Sequence, residues 1–240
     1  MISTVTEYVQ KDPQLALYAE HMNMLMIEND STLAEFKLSI SQKYKRHRPR
    51  LLILLGNPAL LMRDEYRELW GDIPIVLCSE ENYLGPQETY TKKQAIATAD
   101  RTPLTQLADP YNMVLLYSNL YLDENIQLIC HIVPEIKKFI FIGDARQINQ
   151  TNNLDIRNKL KKTHPNVEYQ FITPQDMTTN QLLDSLYFVD PKTTGVLFSS
   201  WFYKTTFAGN TSLVSNAHKL IGTTAAPIFT LNMADITEEN

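Results

Sequence analysis

This sequence lacks the features that mark membrane-spanning, disulfide-bonded and nucleic-acid-binding proteins. No stretch approaches the roughly 18 consecutive apolar residues of a membrane span, and the start, MISTVTEYVQ, has no signal-peptide pattern. The only cysteines are Cys78 and Cys130, and each lies in an apolar stretch, which favours buried free thiols over a disulfide scaffold. A net charge of -5 with a pI near 5.6 argues against a dedicated nucleic-acid binder.

Sequence motifs that carry a known catalytic mechanism are absent as well. The chain contains no P-loop, no GxGxxG fingerprint, no GxSxG elbow and no HExxH pair. Its histidines are scattered without the paired spacing of zinc ligands: His21, His47, His131, His164 and His218. The sequence therefore predicts no catalytic residue, no metal site and no cofactor.

Adjacent carboxylates occur once at the end of a predicted strand, at Glu80 and Glu81. Paired carboxylates suggest acid–base chemistry. Neighbouring residues of an extended segment point to opposite faces, however, so these two are not expected to share a catalytic site. Contact of one of them with a ligand is the better interpretation.

The composition and the periodicity of the chain predict an α/β fold. Hydrophobic residues make up 44% of the 240 residues, which suits one large or two small domains. Short apolar runs alternate with segments of helical spacing, an order typical of parallel sheets. In the first half this predicts helices over residues 1–10, 30–44 and 60–70, and strands over residues 15–18, 50–56, 73–78 and 111–117. Residues 80–110 break the alternation and predict a long loop, which in a compact domain is usually functional or mobile.

The second half repeats the alternation more regularly. The predicted strands are residues 139–144, 167–172, 195–198 and 227–231. The predicted helices are residues 123–136, with Asp123 as cap, then 154–162, 182–189 and 210–221, the last capped by Asn210 to Ser212. Two α/β halves of similar design are expected, residues 1–120 and 121–240.

The segment TGVLFSSWFY, residues 194–203, places three aromatics just after a predicted buried parallel strand. Open α/β sheets bind ligands at the carboxyl ends of their strands. Trp201, Phe202 and Tyr203 therefore either line a cleft, form part of the core or contact a second subunit. Asp144 and Arg146 follow another predicted strand, where they either bind a polar ligand or form an ordinary capped loop.

Several segments resemble a known family. YNMVLLYSNLYLDENIQLICHIVPEIKKFIFIGD resembles the linking region of bacterial ABC-type substrate-binding proteins of the type I periplasmic fold. ENYLGPQETY, KKFIFIGD, TGVLFSSWFYKTTFAGNT and PIFTLNMADI resemble the extracytoplasmic sensor region of hybrid two-component histidine kinases, which use the same fold. The likeness runs from about residue 15 onward, and the SSWF and AGNT segments are its most distinctive part.

The resemblance implies two Rossmann-like lobes, with hinges near residues 118–123 and 232–235 and a ligand cleft between them. It also implies that lobe 1 is incomplete here, because the family has a further strand and helix before residue 15 and a return to lobe 1 after residue 235. A periplasmic location, a membrane anchor outside this chain and a homodimer formed through a parent kinase are implied too. Candidate ligand contacts, chosen from the ends of predicted strands, are Glu80, Tyr121, Asp144, Arg146, Trp201 and Asn232.

The leading functional hypothesis is a non-enzymatic sensor domain that binds a small molecule between its lobes and signals to a histidine kinase. The alternative is a solute-binding protein that delivers cargo to an ABC importer, which would share the fold and the cleft. Two further alternatives are an α/β enzyme, which would need a titratable pair facing one pocket, and a sensor that responds through protein contact alone.

Overall fold

The computed structural model describes residues 2–207, 210–215 and 227–231. The first half contains the helices α1 (Ile2–Gln10), α2 (Asp30–Tyr44), α3 (Arg63–Trp70), α4 (Gln87–Thr91) and α5 (Leu104–Ala108) and the strands β1 (Leu52–Leu55), β2 (Ile75–Ser79), β3 (Tyr83–Leu84), β4 (Thr102–Pro103) and β5 (Met113–Tyr117). Two 3-10 helices, Asn57–Met62 and Thr98–Asp100, complete it. The strands β1, β2 and β5 form a parallel sheet in that order, and β3 pairs with β4 in a separate antiparallel pair.

The second half contains a four-stranded parallel sheet. Its helices are α6 (Leu122–Ile132), α7 (Gln147–Thr163) and α8 (Thr179–Tyr187), and its strands are β6 (Lys138–Ile142), β7 (Glu168–Ile172), β8 (Thr194–Phe198), β9 (Phe202–Phe207), β10 (Asn210–Ser215) and β11 (Ile228–Thr230). The sheet has the order β11-β8-β6-β7, while β9 and β10 form an antiparallel hairpin. The predictions of an α/β fold, of parallel sheets and of a buried strand at residues 195–198 are confirmed.

Local sequence explains where several of these elements begin. The side chain of Asn29 accepts a hydrogen bond from the backbone N–H of Thr32, and the Thr32 hydroxyl accepts one from the Asn29 N–H in return. Thr178 and Gln181 form the same capping box at the start of α8. Such reciprocal bonds satisfy the N–H groups that a helix leaves unpaired at its first turn.

Apolar residues form separate cores in the two halves. The first core lies on one face of the first sheet, where Leu54, Ile75 and Leu77 pack against Leu60 and Tyr90. The second sheet is covered on both faces, because alternate residues of β6 and β8 belong to two different clusters. No cluster formed by the described residues contains buried side chains from both halves.

Residues 80–110 are not the loop that the sequence predicts. They form β3, α4, β4, α5 and a 3-10 turn, and Leu84, Tyr90, Ile96 and Leu104 are buried in the first core. Single large apolar residues separated by polar ones anchor the segment, so its burial follows no helical or strand period. The prediction of a loop was wrong because it relied only on the absence of a regular apolar period.

Three other predicted elements differ from the structure. Residues 15–18 are not a strand, and Leu17 and Tyr18 are exposed and pair with none of the described strands. The Asn210–Ser215 segment is β10 rather than the start of a helix, because its Thr, Ser and Val residues suit pairing with β9, and the rest of that predicted helix lies outside the described residues. Helix α7 begins at Gln147, seven residues before the predicted start at 154.

The linking segment also differs in detail from its prediction. Tyr121, in the left-handed backbone region, is the residue that precedes α6, and Asp123 lies in the first turn of that helix instead of capping it. The predicted second hinge at residues 232–235 lies outside the described residues. Among the helices described, none is long and apolar enough to cross a membrane.

Candidate functional site

Polar side chains collect where the parallel strands of both sheets end. Asn57 follows β1, and Glu81 follows β2. In the second half, Asp144 follows β6, and Ser200 follows β8. All four are buried, which is unusual for polar residues that connect strands to other elements.

Glu81 is the centre of the first-half cluster. One of its carboxylate oxygens accepts hydrogen bonds from the Tyr83 hydroxyl at 2.7 Å and from Nε2 of Gln147 at 3.4 Å, and the other accepts from Nδ2 of Asn57 at 2.8 Å. Burial raises the pKa of Glu81, and these hydrogen bonds oppose the shift only in part. Glu81 therefore favours its neutral form more than an exposed glutamate does.

Asp144 is the centre of the second-half cluster and is fully buried. Its carboxylate accepts from Nε of Arg146 at 2.9 and 3.0 Å, from Nδ2 of Asn149 at 3.0 Å and from the Ser200 hydroxyl at 2.8 Å. Asn149 also donates to Ser200 Oγ at 2.9 Å. Gly143 allows this packing, since a Cβ there would lie 2.9 Å from Cγ of Asn149.

Helix α7 joins the two clusters. Gln147, Thr151 and Asp155, spaced four residues apart, form a stripe on α7 that faces the first half. Gln147 contacts Glu81, Thr151 accepts from the backbone N–H of Ile96 at 3.0 Å, and Asp155 binds Arg101. We call these three side chains the α7 stripe and their contacts with the first half the seam.

The ion pair in the seam is held on several sides. Nη2 of Arg101 donates to both carboxylate oxygens of Asp155, at 2.8 and 2.9 Å. Nε and Nη2 also donate to the carbonyl of Ile96 at 3.3 and 3.1 Å, and the guanidinium lies 4.6 Å from the centre of the Tyr83 ring. A further pair, Lys204 of β9 with Glu28, links the halves at the hairpin.

Two buried atoms of α7 have no hydrogen-bond partner within the described part of the chain. They are Oδ1 of Asn149, an acceptor, and Nδ2 of Asn152, a donor. Both residues lie on α7, three positions apart, and both side chains are buried. An unpaired buried polar atom costs about 1–3 kcal/mol, so such atoms are rare and call for an explanation.

The predicted site residues lie in different surroundings. Asp144 and Arg146 form the buried pair described above, and Arg146 also lies 5.0 Å from the ring centre of Phe202. Glu80 is exposed directly after β2, and Tyr121 is exposed directly before α6. Asn232 lies outside the described residues.

Trp201 is fully buried in the core on one face of the second sheet, and its indole N–H donates to Thr179 Oγ1 at 3.0 Å. This placement favours the core alternative over the cleft alternative for its ring. Of the other two aromatics, Phe202 is the one that packs on Arg146, and Tyr203 packs against the same core as Trp201.

Sequence reasoning missed Asn57 and the α7 stripe, and of the two adjacent carboxylates it chose Glu80 as a ligand contact instead of Glu81. The sequence does contain a signal for Glu81. Leu77, Ser79 and Glu81 are alternate residues of an extended segment, so their side chains lie on the same side of it. In the structure all three are buried. The stripe has a signal as well, since residues four apart share a helix face. It was hidden because QINQTNN reads as a polar loop.

Cavities and metal-binding clusters do not point to another site. A groove of about 320 Å³ lies in the first half and is lined in part by Lys37, Arg63 and Asp100, but none of the stripe residues lines it. No group of three or more His, Cys, Asp or Glu residues in the described ranges is arranged to hold a metal ion. Helix α7, with the seam contacts and two unpaired amide atoms, is the strongest candidate site.

Comparisons of this chain with models of protein families, with curated proteins and with solved structures find no match.

Proposed function

We propose that this chain is a ligand-binding sensor domain that takes a small, uncharged, polar molecule at α7, the helix that joins its halves. The observation that carries the proposal is the pair of unpaired buried atoms on α7, Oδ1 of Asn149 and Nδ2 of Asn152. A ligand that supplies one donor and one acceptor, as a hydroxyl or an amide does, would satisfy both.

The charges near α7 support an uncharged ligand. Asp144 is already paired with Arg146, and Asp155 with Arg101. Glu81 accepts from three neutral donors, and burial raises its pKa. A charged ligand would have to displace one of these partners, or its charge would be buried without an opposite charge beside it. Burying an unpaired charge is costly.

The separate cores support a sensor that works by relative movement of its halves. Apolar contacts hold each half together, while the seam is made of hydrogen bonds and ion pairs. Polar interfaces between parts of one chain permit movement more readily than apolar ones. A ligand that binds one arrangement better than another would shift the population toward it. In the role that the resemblance implies, a histidine kinase on the other side of the membrane would detect that shift.

A thermal-shift screen tests the proposal. Neutral sugars, nucleosides and amides are compared with carboxylates and amines of similar size, and a ligand at a hundred times its Kd should add about 2.7 kcal/mol of stability. Asn152→Ala should abolish the shift, whereas Asn158→Ala, an exposed asparagine on the same helix, should preserve it. A screen in which no neutral compound shifts the melting temperature would overturn the proposal, and so would a shift that survives Asn152→Ala.

A further inference from the structure

One face of the first sheet is apolar and uncovered by the described residues. It consists of two rows that run across all three strands in register, Ile53–Val76–Val114 and Leu55–Cys78–Leu116. The four side chains on the outer strands are 39% to 58% exposed, while Val76 and Cys78 of the central strand are half-buried. We call these two rows the outer face.

The connections within the sheet leave the outer face free. The strands follow one another in the order β1, β2, β5 and are parallel. Parallel crossovers are right-handed, so successive steps in one direction place their connections on the same side of the sheet. That side is the one packed by Leu60, Tyr66 and Tyr90 of the first core. No connection between β1 and β5 can therefore cover the outer face.

An exposed apolar face of this kind is unusual for a parallel sheet. Parallel sheets are found almost only with both faces covered, whereas antiparallel sheets often leave one face in water and carry polar residues there. The outer face has no polar or charged side chain other than the thiol of Cys78. Its composition is that of a buried surface.

We propose that the outer face binds a second copy of this chain, with the two sheets packed face to face about a two-fold axis. A two-fold interface places the same patch against itself, so the patch must be complementary to its own chemistry. A face without charges meets this condition, because no like charges are brought together. Sheets that pack in this way lie about 10 Å apart with interdigitated side chains.

The size of the face sets the expected strength of the dimer. Six side chains on three short strands offer less area than the roughly 800 Å² per partner of a standard interface. We therefore expect a weak, reversible dimer that dissociates on dilution from about 300 µM to about 3 µM. This dimer does not depend on the ligand proposed for α7.

Sedimentation equilibrium across that concentration range tests the proposal. The wild-type chain should change from mostly dimer to mostly monomer. Val114→Lys should remain a monomer throughout, because two lysines would be buried against each other at the axis or beside an apolar surface. Leu38→Lys, a matched change of an exposed leucine on α2, should dimerise like the wild type. Circular dichroism verifies that each variant is folded. If Val114→Lys does not fold, Leu116→Gln is used in its place.

Cys78 gives a second test, because its thiol lies on the outer face. A short bismaleimide should cross-link Cys130→Ser into a dimer, and it should not cross-link Cys78→Ser, which keeps only Cys130. A wild-type chain that is monomeric at every concentration would overturn the proposal and would leave the face to another partner or segment. A dimer that persists in both Val114→Lys and Leu116→Gln would overturn it as well.

Discussion

Glu81 is the residue in which burial and ionisation oppose each other most directly. Its carboxyl is buried, and burial raises its pKa above the ordinary value of 4.5. The folded state therefore holds this proton more tightly than the unfolded state does. The stability that Glu81 contributes is complete below pH 4.5 and is lost as the pH rises through the raised pKa of the folded state.

We expect Glu81→Gln to remove this part of the pH dependence, because an amide does not titrate. The melting temperature of the wild type minus that of the variant should be largest near pH 4 and should shrink as the pH rises. Thermal unfolding at half-unit intervals of pH measures the difference. Glu80→Gln, which removes the same charge from an exposed neighbour, is the control. Parallel profiles for the wild type and Glu81→Gln would contradict the prediction.

Asn149 holds the second-half cluster together. It donates to Asp144 and to Ser200, two buried groups that would each lose a donor in Asn149→Ala. We expect this variant to lose about 2–3 kcal/mol of unfolding free energy, since it removes two hydrogen bonds of buried groups, one of them to a carboxylate. Urea denaturation measures the loss. Asn158→Ala, on an exposed turn of the same helix, should change the free energy little, and an equal loss in both variants would refute the role of Asn149.

At the scale of elements, α7 shows what the sequence could and could not predict. Its second part carries Ile156 and Leu160, four residues apart and buried, and this part was predicted. Its first two turns contain Gln, Asn and Thr, which have modest helix propensity and no apolar period. Contacts with Glu81, Ile96 and Ser200 hold those turns in place, and such contacts between distant residues cannot be seen in a local pattern.

The strands were more predictable than the segments between them. The β6 and β8 strands are continuous apolar runs, because both faces of their sheet are covered, and apolar runs are visible without knowledge of the fold. Residues 80–110 depend instead on single anchors such as Tyr90 and Ile96. Asp144 and Arg146 were predicted as site residues because they follow a clear apolar strand. Asn57 also follows a predicted strand, but it was not predicted as a site residue.

The segment from Ile96 to Arg101 supplies two of the three seam contacts between the first half and α7. We expect a double-mutant cycle with Arg101→Met and Asp155→Ala to give a coupling energy of about 1–2 kcal/mol, because Nη2 donates to both carboxylate oxygens and the pair is partly buried. The exposed pair Lys92–Glu88 should couple by only about 0.3–0.5 kcal/mol. Urea denaturation of the four chains in each cycle supplies the values. Equal coupling in the two cycles would show that the seam pair is no stronger than a surface pair.

For the whole molecule, the decisive feature is the contrast between apolar cores within the halves and polar contacts between them. The sequence predicted two α/β halves, and the structure has a parallel sheet in each. The relation between the halves could not be predicted, because it depends on hydrogen bonds between residues 50 or more positions apart, such as Ile96 with Thr151. That relation is also what a ligand-driven movement would change.

Loss of the α7 stripe should therefore separate the halves without unfolding either. The triple variant Gln147→Ala, Thr151→Ala, Asp155→Ala removes the second half's side of three seam contacts, and none of these residues belongs to an apolar cluster. A compact chain of this length has a radius of gyration of roughly 18 Å. Small-angle scattering, extrapolated to zero concentration so that dimers do not contribute, should give a larger radius for the variant than for the wild type, with an unchanged far-ultraviolet dichroism spectrum.

The control changes three exposed residues of the same helix, Arg157, Asn158 and Lys161, to alanine and should keep the wild-type radius. An unchanged radius in the stripe variant would mean that the seam is held by other contacts, such as Lys204 with Glu28, and that the stripe does not control the position of the halves.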